Sequence, residues 1–203
     1  MLIEQPGRLL TACYKKAVWR KDTTSKTIYL TFDDGPIPEI TPWVLDTLRS
    51  LDIKATFFCV GDNVRKYPEI FNQIKAEGHS VGNHTFNHFS GFHWDYETYV
   101  KNVDEADFLI HSKLLRPPHG HLTRSQYREL LNKGYEIIMW DVITRDYNVS
   151  LKPEKVLNIV KKYARNGSII VFHDSIKAEK NMKYAMPKAV EYLLEQGYAF
   201  EKL

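Results

Sequence analysis

Thr27-Ile28-Tyr29-Leu30-Thr31-Phe32-Asp33-Asp34-Gly35-Pro36 is the stretch from which the rest of the chain is read. Its β-branched and aromatic residues predict a buried strand, and Gly35-Pro36 stops that strand abruptly. Two carboxylates therefore stand at a strand end. Successive side chains of a strand point to opposite faces, so Asp33 and Asp34 are not equivalent and different roles for them are natural. Taken alone, an Asp-Asp-Gly-Pro run reads as a solvated turn. What the other strands bring to the same place decides between turn and site.

Working outward, strand and helix alternate to the end of the chain. The spacing predicts helices over 40–51, 68–77, 96–111, 125–133, 153–166 and 186–196. Strands are predicted over 55–60, 79–83, 113–116, 136–142, 168–172 and 198–201. Six or seven βα units in series define an α/β protein with a parallel sheet, either a barrel or a doubly wound sheet. Upstream, Leu9, Leu10, Cys13, Tyr14, Ala17 and Val18 recur at helical spacing within 8–19, with Lys15, Lys16 and Arg20 elsewhere on the wheel. Residues 1–22 are expected to cap the core; the flanking basic residues also allow a helix lying on a membrane surface.

The 203 residues, 43% hydrophobic and 26% charged, fit one globular domain spanning 1–203. A net charge of +3, with the lysines dispersed, argues against a nucleic-acid partner. Cys13 and Cys59, without a Cys-x-x-Cys pairing, indicate neither a disulfide framework nor a thiolate zinc site. No signal-like or membrane-spanning run is visible, so a cytoplasmic protein is expected.

Ligands of parallel α/β folds gather at the C-terminal ends of the strands. The predicted strands present there Asp33-Asp34, then His84 and His88, then Arg116-Pro117-Pro118-His119-Gly120, then Trp140-Asp141 with Asp146, and His173-Asp174. The i, i+4 spacing of His84 and His88 lets two imidazoles face one point, and one carboxylate would complete a two-His, one-Asp metal site. Two unrelated histidines would show the same spacing. His93, His111 and His121 have no surroundings that argue for a ligand.

Thr-Phe-Asp-Asp-Gly-Pro, His-Thr-x-x-His, Arg-x-Pro-x-Gly and a late apolar-x-His-Asp, in this order, resemble the motifs of the polysaccharide deacetylases of carbohydrate esterase family four. The resemblance spans about 27–203 and implies a distorted (β/α)7 barrel, TIM-barrel-like, that hydrolyses an N-acyl or less often an O-acetyl group on a sugar. It implies Asp34, His84 and His88 as ligands of a divalent metal, most often zinc, with cobalt or manganese serving some members. Asp33 matches the general base, Arg116 the residue that holds it, His173 the general acid and Asp146 the carboxylate paired with that acid. His119 matches the position whose backbone N–H serves the oxyanion.

The chain departs from the family at His119, where Tyr or Phe is usual, at Ile143 in place of an aspartate, at Tyr147 in place of tryptophan, and at Val171 in place of a leucine lining the acyl pocket. Trp140, Tyr147, Val171 and Pro118 are expected to line the substrate groove, and Trp94, Tyr96, Trp140 and Tyr147 offer faces for sugar stacking. An acylated carbohydrate is the expected partner. Alternatives are deformylation or deacetylation of a lipid-linked or nucleotide-linked sugar, a metal-retaining glycan-binding domain without turnover, and amide hydrolysis on a non-sugar substrate.

Overall fold

The structure, a computed structural model, describes residues 4–22 and 24–203. Strand β1 (Thr27–Asp33) is buried at all seven positions, as expected of a strand covered on both faces of a parallel sheet. It forms the centre. β2 (Thr56–Cys59), β3 (Ser80–Asn83), β4 (Leu114–Leu115) and β5 (Glu136–Ile137) follow on one side, and β7 (Ile169–His173) and β6 (Val142–Ile143) on the other. These neighbours are all parallel. A short β8 (Ala199–Glu201) pairs with the start of β1. The seven strands along this path, β5 to β6, curl into the distorted (β/α)7 barrel that the sequence implied.

The seam between edge strands β5 and β6 is covered by the N-terminal segment. Val18 N–H donates to Ile137 O (2.8 Å) and Val18 O accepts from Met139 N–H (2.8 Å), while Ile143 N–H donates to Glu4 O (2.9 Å). A Glu4–Arg145 ion pair (3.0 Å) fixes the start of the segment. Residues 4–20 are thus a strap rather than one long helix. Helix α1 spans only Arg8–Cys13 and carries no buried residue. Met1–Ile3, part of the expected capping segment, and Thr23 lie outside the described residues.

The remaining helices are α2 (Thr41–Ser50), α3 (Gly61–Lys66), α4 (Pro68–Ala76), α5 (Tyr96–Ile110), α6 (Arg124–Asn132), α7 (Pro153–Tyr163) and α8 (Glu179–Glu195). α2 buries Val44, Leu45 and Leu48 against the sheet. α8 starts seven residues earlier than the spacing predicts, and Pro187 lies inside it. A proline costs a helix about 3 kcal/mol in its interior and is welcome at the first turn, so Pro187 mimics a helix start. Burial of Met182, Ala185, Met186, Ala189, Val190 and Leu193 on one stripe carries the helix through it.

Candidate active site

At the C-terminal end of the sheet, register sets the first contacts. Asp33 is the last residue of β1 and lies opposite His173, the last residue of β7. Arg116, just past β4, is fully buried. Its Nη1 donates to Asp33 Oδ1 and to Thr31 Oγ1 (both 2.7 Å), and its Nη2 donates to Met139 O (3.0 Å). The guanidinium also stacks 4.1 Å from the Phe58 ring centroid. Burial lowers the arginine pKa against the support of Asp33, yet a guanidinium stays protonated in proteins. Asp33 therefore faces a fixed positive charge.

Asp34 turns the other way because its backbone sits at φ 88°. Its Oδ1 lies 3.2 Å from His88 Nε2 and 3.8 Å from His84 Nε2. Ligand atoms of these three side chains all fall within 4.8 Å of one another. His84 Nδ1 is 2.7 Å from Arg116 O. Only a protonated nitrogen bonds a carbonyl, so this contact places the hydrogen on Nδ1 and the lone pair on Nε2, toward Asp34. Burial pulls the His84 pKa to about 4 and keeps the ring neutral. For Asp34, burial acts upward, but the His88 hydrogen bond and the charges of His173, His84 and His88 outweigh it and hold the carboxyl below its ordinary range. A carboxylate and two imidazoles, one oriented by a carbonyl behind it, fit a divalent metal with positions left open.

The two histidines meet through a loop, not a helix: Thr85 and His88 have φ near 60°. Asn102 shapes that loop by accepting from Phe86 N–H and Asn87 N–H (both 3.0 Å), and Asn83 Oδ1 accepts from Thr85 N–H (2.8 Å). The Asp34 loop is held likewise. Asn63 Nδ2 donates to Asp34 O (2.8 Å). Asp174 Oδ1 accepts from Gly35 N–H (3.0 Å) and its Oδ2 from Thr41 Oγ1 (2.6 Å), which in turn accepts from Ile37 N–H (2.8 Å). The fit at Gly35 is so close that a Cβ there would lie 1.9 Å from Asp174 Oδ2. Burial, followed by the nearby charge of Asp34, pushes the Asp174 pKa up to about 8 despite these donors. Asn63, Asn102 and Asp174 carry no sequence signal for these roles, because each acts on a loop brought near by the fold, and Asn83, which bonds Thr85 two residues on, belongs to no motif read from the sequence.

His173 Nδ1 lies 2.7 Å from Asp146 Oδ1, and its backbone N–H donates to Asp146 Oδ2 (2.8 Å). Burial lowers the His173 pKa, but the Asp146 carboxylate, with Asp34 and Asp33 beyond it, outweighs this and raises it to about 9. The other carboxylate of that loop, Asp141, serves the scaffold by pairing with Arg165 (2.6 Å) and Ser168 (2.7 Å).

Asp33, Asp34, His84, His88 and His173 line one cavity of about 560 Å³, with Arg116 and Asp146 hydrogen-bonded behind Asp33 and His173. Trp140, Tyr147, His119 and Ile143 line it too, whereas Val171 and Pro118 are buried outside its lining. The Tyr147 ring stands edge-on to His173 at 4.9 Å. Trp94 instead stacks on Phe89 (3.9 Å) and, like Tyr96, lies off the cavity. The far wall is supplied by Leu10, Tyr14 and Trp19 of the N-terminal strap, and His121 also lines the cavity. Helical periodicity in 8–19 pointed to packing, so this wall was not foreseen. His119 has φ 60°, and its backbone N–H makes no hydrogen bond among the described residues.

A parallel barrel carrying two unlike carboxylates, two clustered imidazoles and a carboxylate-bound histidine at one rim defines a hydrolase class. The polysaccharide deacetylase family model matches residues 20–138, and the chain belongs to that family. It is 32% identical over 189 residues to a peptidoglycan-N-acetylglucosamine deacetylase of Bacillus cereus, covering 90% of this chain and 88% of that one. It is 30% identical to the peptidoglycan-N-acetylmuramic acid deacetylase PdaA of Bacillus subtilis, covering 97% of this chain and 78% of the relative. The crystal structure of a peptidoglycan N-acetylglucosamine deacetylase in complex with 4-naphthalen-1-yl-N-oxidanyl-benzamide superposes with a TM-score of 0.90 at 27% identity, covering 98% of this chain and 95% of that one. Among the described residues no helix is long and apolar enough to cross a membrane.

Proposed function

We propose that the protein removes the N-acetyl group from an amino sugar of a peptidoglycan-type glycan, with Asp33 as general base and His173 as general acid. The observation that carries this reading is the division of the Asp pair: Asp34 faces His84 and His88, while Asp33 is held 2.7 Å from Arg116. Relatives acting on N-acetylglucosamine and on N-acetylmuramic acid of peptidoglycan support the substrate class.

A divalent metal held by Asp34, His84 and His88, zinc being the first choice for this donor set, would supply Lewis acidity to water and to the amide carbonyl. Asp33, oriented by the Arg116 fork, takes the proton from the attacking water. The negative charge that develops on the carbonyl oxygen finds a donor in the His119 N–H. His173, with Nδ1 committed to Asp146, carries its transferable proton on Nε2 and delivers it to the amine nitrogen as the C–N bond breaks. Acetate and a free amine leave.

Acetate release from N-acetylglucosamine oligomers and from peptidoglycan fragments, measured before and after dialysis against a chelator, tests the reading. Activity lost on chelation and restored by zinc is expected; chelator-resistant hydrolysis, or none on any acylated sugar, contradicts it.

A further inference from the structure

Beyond the catalytic groups, the same cavity runs on to a wall that no motif of the family accounts for. Leu10, Tyr14 and Trp19 stand there opposite Trp140, with the Trp19 and Trp140 rings edge to face at 6.1 Å. The wall is built, not draped. The Tyr14 hydroxyl donates to Leu122 O (2.6 Å), and Val18 is hydrogen-bonded on both sides to the β5 edge. At the rim, His121 is held through Nδ1 by Ser90 Oγ (2.9 Å), and the exposed Lys177 makes no ion pair among the described residues.

We propose that the N-terminal strap forms a second sugar subsite, which seats the pyranose ring next to the one that loses its acetyl group. The inference rests on the deacetylase reading above and narrows its substrate to chains of two or more sugars. A pyranose has an apolar C–H face and an equatorial edge of hydroxyls, and aromatic walls with a polar rim match both. An alkyl chain would satisfy Leu10, Tyr14 and Trp19 but would leave His121 and Lys177 facing hydrocarbon. The subsite is continuous with the Asp33–His173 centre, so a glycan entering it is one whose neighbouring residue already reaches the catalytic groups.

The test compares kcat/KM on N-acetylglucosamine oligomers of one to five sugars for the zinc-loaded parent, Leu10→Ser, Trp19→Ala and a Leu9→Ser control. Leu9 is 88% exposed on the same helix and outside the cavity. The parent is expected to gain efficiency from one sugar to several. Leu10→Ser and Trp19→Ala are expected to lose about ten-fold more on the tetramer than on the monomer, carried in KM, as truncated binding anchors do. Leu9→Ser keeps the parent's profile. Should Trp19→Ala fail to fold, the half-exposed Leu10→Ser still reads the subsite. Equal losses at every length overturn the inference while leaving the deacetylase reading intact. So does a loss that follows acyl length, acetyl against butanoyl on one oligomer, because an acyl chain then fills the wall. A parent inactive on every length overturns both.

Discussion

Asp33 and Asp34 are one bond apart in sequence and face opposite electrostatic tasks, and the difference is made by backbone and by neighbours. Asp33 ends a regular strand and meets a buried guanidinium; Asp34, at φ 88°, swings toward two imidazoles. Replacing Arg116 by Met would leave the Asp33 carboxylate buried without a counter-charge. A loss of about 3–5 kcal/mol is expected, read from urea unfolding. His173 offers a pH test. Its folded pKa of about 9 lies above the ordinary 6.5, so the stability it contributes is full below pH 6.5 and is lost as pH rises through about 9. The acid form needed for turnover follows the same limb. In Asp146→Asn the main upward influence is gone, and the alkaline limb of the kcat/KM profile is expected to move toward neutrality. An unmoved limb would assign it to another group.

At the scale of elements, the site depends on loops held by side chains from the next strand or helix. Asp174, at the end of β7, grips the 34–37 loop directly through Gly35 and, through Thr41, at Ile37. Thr41→Val and Asp174→Ala are expected to weaken zinc binding by about 10–100-fold, the usual cost of losing a group that orients a ligand. Competition with a chromophoric chelator measures this, with circular dichroism as the control for folding. The sequence made the long amphipathic elements legible: α2, α4 and α5 begin and end within one residue of their expected bounds. The failures have local causes. α3 was missed because six residues between a strand and a proline-started helix carry too little periodicity. The expected strand over 136–142 breaks into β5 and β6, since the chain leaves one edge of the seam and joins the other.

Across the whole molecule, the strand-end rule did most of the work. Asp33, Asp34, His84, His88, Arg116, His119, Asp146 and His173 fall on different elements, yet one cavity or one hydrogen-bonded neighbour unites them. The sequence marks the N-terminal segment only as a cap on the core; that its strap also walls the cavity shows only when the open seam of the barrel is seen. Metal binding should be felt globally. At a free zinc concentration 100 times its Kd the folded state gains about 2.7 kcal/mol. For a domain of this size that raises Tm by about 5–10 °C in differential scanning calorimetry.

The division of labour within the Asp pair is tested most directly by measuring zinc content and acetate release side by side in Asp33→Asn and Asp34→Asn. Asp33→Asn is expected to keep its zinc while kcat falls by about 10²–10⁴-fold, and Asp34→Asn to lose the zinc together with the activity. Full activity in Asp33→Asn, or zinc lost from Asp33→Asn and retained by Asp34→Asn, would contradict that division.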